Sequence, residues 1–327
     1  MTTSRQDEAA QFPIGDHVAA RSELGRALSA NLRRSLLGVD ATITSAAIAV
    51  LAGGHLLIED VPGVGKTILA RALAISLGAD LSRIQGHPDL LPSDVTGVSV
   101  FSPDTNTWEF RPGPVFAHVV LVDELNRTPP RTQSALLEAM EEQQVSVDGE
   151  SWPLPRPHMV IATQNPISQR GTYPLVESQL DRFAVSTTIG YPGAEDEAHL
   201  VMHQGGKYAL EELQPVCTTE QWADARRATE AIAVAEPVAA YAVEICRATR
   251  HAPGVRLGAS PRAAIWLIRC AQAHAVLNDR DYVAPDDVKA VAIPVLAHRL
   301  VTDDPDSRAA GARVVSNIVD ATPSPRP

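Results

Sequence analysis

The sequence predicts an α/β fold: a three-layer domain built on a parallel sheet, interrupted by two β-hairpin insertions and followed by a small all-α domain. Three observations carry this expectation. Up to about residue 190, short apolar runs ending in special residues alternate with helical patterns, as in a sheet covered by helices. Two segments, 98–110 and 145–154, alternate around turn-forming residues and read as hairpins. After Tyr191-Pro192-Gly193 the strand signal fades and the chain becomes Ala-rich with helical periodicity.

In chain order, residues 1 to about 12 are polar and 1–20 are expected to form a flexible tail, and 321–327 (ATPSPRP) a disordered one. The α/β core is expected at 21–192 and the helical domain at 193–320. Strands are expected at 55–58, 119–122 and 159–162, each a short apolar run. A helix is expected at 128–143, where Thr128 and two prolines start a pattern that sets Leu136, Leu137 and Met140 on one face. The hairpins turn at 103–106 and at Asp148-Gly149. Further helices are expected at 195–206, 219–251, 260–278 and 285–299.

Composition narrows the function classes. Twenty-eight basic against 39 acidic side chains in 327 residues leave a net charge of −11. Such a chain has no general electrostatic attraction to nucleic acid or to an anionic membrane. No apolar run approaches the roughly 18 residues of a membrane-spanning helix, and the first twenty residues lack the apolar core of a secretory signal, so a cytoplasmic protein without direct membrane insertion is expected. Cys217, Cys246 and Cys270 lack zinc-pair spacing and are expected to be reduced core thiols. His199 and His203 have i,i+4 spacing but no adjacent Glu or third ligand, and are expected to be solvated.

The strongest chemical signal is the strand, glycine loop and helix of 55–76. Its candidate phosphate-binding segment runs through Pro62, Gly63, Val64, Gly65, Lys66, Thr67 and Ile68. The glycines let the backbone wrap an anion, the helix start directs N–H groups at it, Lys66 reaches terminal phosphates and Thr67 offers an oxygen to Mg²⁺. Lys66 is one of three lysines in a chain that otherwise uses Arg, which favours a position needing a compact ammonium. Asp60 replaces the usual first glycine, a position where Asp's tolerance of unusual backbone angles keeps the loop feasible. A second apolar strand ends in Asp123-Glu124. Asp123 is the candidate Mg²⁺ ligand, partly through water, and Glu124 the residue that polarises the attacking water. Asn165 ends a third strand and could position that water. Arg182, after a short helical stretch, and Arg262, just inside a helix capped by Ser260 and Pro261, complete the catalytic candidates. Arg262 opposes the helix dipole and so reads as placed for an anion. Each arginine is also readable as half of a surface ion pair, the lesser of the two readings.

In this order the motifs resemble the AAA+ ATPases, and within them the MoxR family. The resemblance spans about Asn31 to Arg299 and rests on GHLLIEDVPGVGKT (54–67), RIQGHPDLLPSDVTG (83–97), LVDELNRTPPRTQSALLEAMEE (121–142), ATQNP (162–166), GTYPL with QLDRF (171–183), GASPRA (258–263) and YVAPDDV (282–288). It implies a P-loop NTPase core with a helical lid, and ATP with Mg²⁺ as ligands. It assigns Lys66 and Thr67 to Walker A, Asp123 and Glu124 to Walker B, Asn165 to sensor 1, Arg182 to the arginine finger and Arg262 to sensor 2. The hairpins would match the clade's helix-2 insert and pre-sensor-1 hairpin. Val176-Glu177-Ser178 and Ser168-Gln169-Arg170 depart from the family pattern in an expected intersubunit loop. The resemblance further implies a self-assembled ring, usually a hexamer, and a chaperone that matures protein clients with a von Willebrand A domain partner.

Two other functions fit parts of the sequence. A nucleotide-gated assembly module with little turnover would share the phosphate loop, but not the need for Glu124, Arg182 and Arg262 together. A DNA translocase would share the hairpins, yet VSVDGESWPL at 145–154 holds Asp148 and Glu150 and no basic residue for a phosphate backbone.

Overall fold

A computed structural model describes residues 14–61, 63–165, 172–202, 207–304 and 307–325. The core elements are α1 (Ile14–Ser35), α2 (Asp40–Ala52), β1 (Leu56–Glu59), α3 (Lys66–Ser76), β2 (Leu81–Gln85), α4 (Pro92–Thr96), β3 (Gly97–Ser102), β4 (Thr107–Pro112) and β5 (Val119–Asp123). They continue as α5 (Pro130–Glu142), β6 (Gln144–Val147), β7 (Glu150–Pro153), β8 (Met159–Gln164), α6 (Glu177–Leu180) and β9 (Val185–Thr187). The C-terminal region holds α7 (Ala194–Met202), α8 (Lys207–Glu212), α9 (Thr219–Glu230), α10 (Glu236–Thr249), β10 (Val255–Leu257), α11 (Pro261–Leu277), α12 (Pro285–Leu296), β11 (Val301–Thr302) and α13 (Ser307–Ala321).

The sheet is parallel, in the order β2-β5-β8-β1-β9. Strand alternation divides its side chains between two cores. Leu56, Ile58, Val119, Leu121, Met159 and Ile161 face α1, α2, α3 and the lid helices, while Leu57, Val120, Val122, Val160 and Ala162 face α5 and the hairpins. This two-sided burial is why the central strands read as continuous apolar runs. The edge strands β2 and β9 were not expected from the sequence: LSRIQ is largely solvent-facing and VST carries only one aliphatic side chain. The register aligns Gln85 with Asp123 and Glu59 with Gln164, so the carboxyl ends of the strands meet along one edge, where ligands of such sheets bind.

Both hairpins form as expected, β3–β4 and β6–β7, with Asp148 (φ 53°) and Gly149 (φ 83°) supplying the left-handed backbone of the second turn. Four boundaries differ from expectation. Helix α1 starts at Ile14, so 14–20 is helix rather than tail; Leu24, Leu28 and Leu32, buried at i,i+4 spacing, give that helix a stripe to dock. The span 219–251 is two helices, because Pro237 starts α10. The helical C-terminal region gains a two-stranded antiparallel ribbon, β10–β11, and the helix α13, which carries order to Ala321 and past the expected start of the tail. No helix among the described residues is long and apolar enough to cross a membrane. Cys217, Cys246 and Cys270 are free and buried, and burial pushes their thiols up to about 11, 11 and 12.

Candidate nucleotide site

The loop between β1 and α3 has the form the sequence predicts for an anion cradle. Gly63 (φ 88°) and Gly65 (φ 100°) take left-handed backbone, and a Cβ at Gly63 would meet nothing within 4 Å, so the space before the loop is open. No side chain caps α3. Its first N–H groups, which in any helix have no intrahelical partner, are thus left uncapped at the end of the loop, with the positive end of the helix dipole. Lys66 Nζ donates to the Asp60 carbonyl at 2.5 Å. Partial burial pulls its ammonium below the ordinary lysine value, against the opposite pull of Asp60, Asp123 and Glu124. Pro62 lies outside the described residues, as do Pro166, His203 and 168–170.

Asp60 is not in the left-handed region, so tolerance of unusual backbone angles does not explain it. Its buried carboxylate instead accepts three backbone N–H groups at 2.7 Å, from Val61, Ile189 and Gly190. The side chain thus fastens the phosphate loop to the segment leaving β9. That segment walls a cavity of about 510 Å³ beside the loop, with Leu36, Val39, Val64 and Ile68 as apolar lining. Apolar walls adjoining a phosphate cradle suit a nucleobase.

A second cavity holds Gly63, Gly65, Lys66, Thr67, Ile68, Asp123, Glu124, Thr163 and Asn165 together. Asp123 is buried at the end of β5. Its Oδ2 accepts from Arg83 Nε at 2.8 Å, and Thr163 Oγ1 lies 3.4 Å from Oδ1. Glu124 leaves the strand in left-handed backbone (φ 55°, ψ 49°), with its N–H donated to Thr163 Oγ1 at 2.9 Å. This turn, rather than strand alternation, separates the directions of the two carboxylates. A strained backbone at a polar strand tip is characteristic of functional positions. Glu124 also meets Arg127 at 3.0 Å and Gln85 at 3.3 Å. Gly86 permits the close approach: its N–H donates to the Asp123 carbonyl at 2.7 Å, and a Cβ there would lie 2.2 Å from the Glu124 carbonyl.

The two arginines are elsewhere. Arg182 Nε lies 3.1 Å from Glu141 Oε2, and Arg262 pairs with the other oxygen of the same carboxylate. They line a cavity with Met140, Gln143, Trp266 and Arg269 that shares no residue with the phosphate-loop cavity. Within one chain the expected site is therefore divided, and the ion-pair reading of both arginines holds there. Arg182 is positioned by its neighbour Asp181, which accepts from Arg299 at 2.9 Å and from Ser260, the N-cap of α11, at 2.8 Å. Arg83, Gln85, Glu141 and Arg299 carry no signal of their own in the sequence, although Arg83, Gln85 and Glu141 lie in stretches that carry the resemblance; Asp60 stands out in the sequence only as a missing glycine. Among the described residues no cluster of His, Cys, Asp and Glu could hold a metal ion by itself.

The profile of the family described as "ATPase family associated with various cellular activities (AAA)" matches residues 55–185, and that of the AAA lid domain matches 247–318. The uncharacterised protein YeaC of Bacillus subtilis is 47% identical over 92% of this chain and 95% of its own. Chaperone MoxR1 of Mycobacterium tuberculosis is 38% identical over 83% of this chain and 74% of its own, and Protein MoxR of Methylorubrum extorquens 30% identical over 89% and 91%. A crystal structure of a candidate ATPase from Cytophaga hutchinsonii superposes with a TM-score of 0.86 at 33% identity, covering 95% of this chain and 98% of that one. With the parallel sheet, the glycine loop, the carboxylate-tipped strand and the helical lid, these likenesses identify the chain as a member of the MoxR family of AAA+ ATPases.

Proposed function

We propose that the chain hydrolyses Mg²⁺-ATP at a site completed by a neighbouring copy in a ring, a hexamer by family resemblance. The cycle remodels a protein client together with a von Willebrand A domain partner in the cytoplasm. The observation that carries the reading is the division of the site: loop and carboxylates in one cavity, Arg182 and Arg262 in another. Two arginines converging on one carboxylate, away from the loop of their own chain, are arranged to be offered outward. A neighbour's phosphates would compete with Glu141 for them.

In this reading Gly63, Val64, Gly65 and the first turn of α3 cradle the phosphates, Lys66 contacts the terminal ones, and Pro62 belongs to the same loop. Thr67 and Asp123 fit Mg²⁺, since they set a hydroxyl and a buried carboxylate on one cavity; the ion, when bound, neutralises phosphate charge. Arg83 now supplies the positive charge against Asp123 and has to yield or share it. Glu124 takes the proton of the attacking water and Asn165 orients that water. Arg182 and Arg262 stabilise charge in the transition state from across the interface. A lone subunit should hydrolyse poorly, so specific ATPase activity should rise with protein concentration in step with ring formation by light scattering. The nucleotide-gated module is the second reading, favoured by the hold of Arg83 and Arg127 on both carboxylates. Tight ATP binding with negligible turnover at every concentration would select it.

A further inference from the structure

The two hairpins enclose a groove that the ATP chemistry does not use. Pairing of Ser99 with Phe110 and of Phe101 with Trp108 sets these four residues on one face of β3–β4. On β6–β7 the pairs Val145 with Trp152 and Val147 with Glu150 form the facing surface. Phe110 stacks on Trp152 with ring centroids 4.5 Å apart and an interplanar angle of 18°, which joins the hairpins at their base. Phe110 also meets Phe116 edge-on at 5.5 Å, anchoring the pair to the core.

Beyond that stack lies a cavity of about 510 Å³ lined by Ser99, Trp108, Phe110, Val147, Trp152, Asp148 and Glu150. Trp108 is 72% exposed and Phe101 43%, and they touch edge-to-face at 5.6 Å. An indole this exposed is costly to leave in water, and the faces of aromatic rings carry the negative part of their π-quadrupole. The charged residues of the lining are both acidic, with no cation between them. Arg111, on β4, pairs with Val98 and so belongs to the opposite face from Phe110 and Trp108.

We infer that this groove binds an extended, arginine- or lysine-bearing segment of a protein. A cationic side chain inserted between Trp108 and Trp152 gains cation–π attraction from both rings and charge pairing with Asp148 and Glu150, while its aliphatic stem covers Val147. The same features repel phosphate, so nucleic acid is disfavoured on this surface. The inference deepens the protein-remodelling reading by giving the client segment a chemistry. Its test reads equilibrium binding and does not depend on ATP turnover.

The probe is a labelled glycine-spaced peptide carrying three arginines, with citrulline, norleucine and glutamate counterparts, titrated by anisotropy and by tryptophan fluorescence. The variants are Trp108→Ala and the double change Asp148→Asn with Glu150→Gln, all at exposed positions, with melting curves to verify folding. The arginine peptide should bind at least about tenfold tighter than its citrulline counterpart, and each variant should erase about that margin. Raised salt should weaken it further. Equal binding of the norleucine peptide, or undiminished binding by the double variant, would mean a merely apolar groove and overturn the inference. Loss of self-association in Trp108→Ala with peptide affinity intact would make a second copy the occupant, and overturn it too. Displacement of the peptide by single-stranded DNA at equal concentration would do the same. Peptide binding without any ATPase would leave the groove standing and reject the motor.

Discussion

Replacing Asp60 by glycine restores the residue usual in phosphate loops, and from the motif alone that change should be harmless or helpful. The structure predicts the reverse. Asp60 is outside the left-handed region, so glycine brings no relief of backbone strain. Its carboxylate accepts three N–H groups at 2.7 Å, and hydrogen bonds to a charged group contribute about 1.5–3 kcal/mol each. The Val61 bond joins adjacent residues, so the tie that is lost between the loop and the segment after β9 is the pair of bonds from Ile189 and Gly190. Discounting these two bonds by about half for water entering the gap leaves about 2 kcal/mol, or a melting-temperature drop of about 4 °C at roughly 2 °C per kcal/mol for a chain of this size. Ile189 and Gly190 also wall the base-side cavity, so nucleotide affinity should fall with stability. Asp60→Asn keeps one accepting oxygen and should lose less on both counts. Thermal unfolding followed with and without ATP measures all three proteins. Parent-like melting and nucleotide affinity in Asp60→Gly would mean that this carboxylate does not fasten the loop.

Glu59, at the tip of β1, accepts from Ser186 Oγ at 2.9 Å and pairs with Arg308 of α13 and with Gln164, the residue before Asn165. Arg308→Ala leaves that largely buried carboxylate without its cation, and should cost about 2 kcal/mol and speed hydrogen exchange in α13; unchanged exchange there would contradict a latch between lid and phosphate loop. Acid should destabilise the fold through buried imidazoles. Burial, with like charge nearby, holds His55 down to about 3 and His158 to about 4, and His298 well below the ordinary value beside Arg299. The unfolded chain takes up protons below about pH 6.5 that these folded sites refuse. Stability is therefore full above that pH and falls as pH drops through 6 toward about 4, by up to about 4 kcal/mol per unit when all three contribute. A urea midpoint equal at about pH 7.5 and about pH 5 would contradict this.

The parts of the fold legible in the sequence are those where one force dominates. The central strands bury both faces and so read as apolar runs; the hairpins are marked by Asp148-Gly149 and by strict alternation. The phosphate loop was readable because its glycines, lysine and threonine are neighbours in sequence. What escaped depends on long-range partners. The solvent-facing strand β2 gains its place only by pairing with β5, and the work of Asp60 lies 129 and 130 residues away, at Ile189 and Gly190. Local reading also put Arg182 and Arg262 with the phosphates as members of one set, whereas Glu141 gathers them on a separate surface. No local pattern distinguishes an arginine that serves its own chain from one presented to another.

If one subunit's carboxylates work with the next subunit's arginines, mixing two inactive variants in one ring restores activity. Glu124→Gln and Arg182→Ala should each lose roughly a thousandfold or more of ATPase activity while keeping nucleotide binding and ring size. In randomly mixed equimolar rings, half of the loops belong to the Arg182→Ala chain and half of their neighbours to the Glu124→Gln chain, so about a quarter of the junctions regain a complete set. About a quarter of the parent rate should return, and the same with Arg262→Ala in place of Arg182→Ala. Mixed rings of full size with no recovered activity would rule out a site shared between subunits.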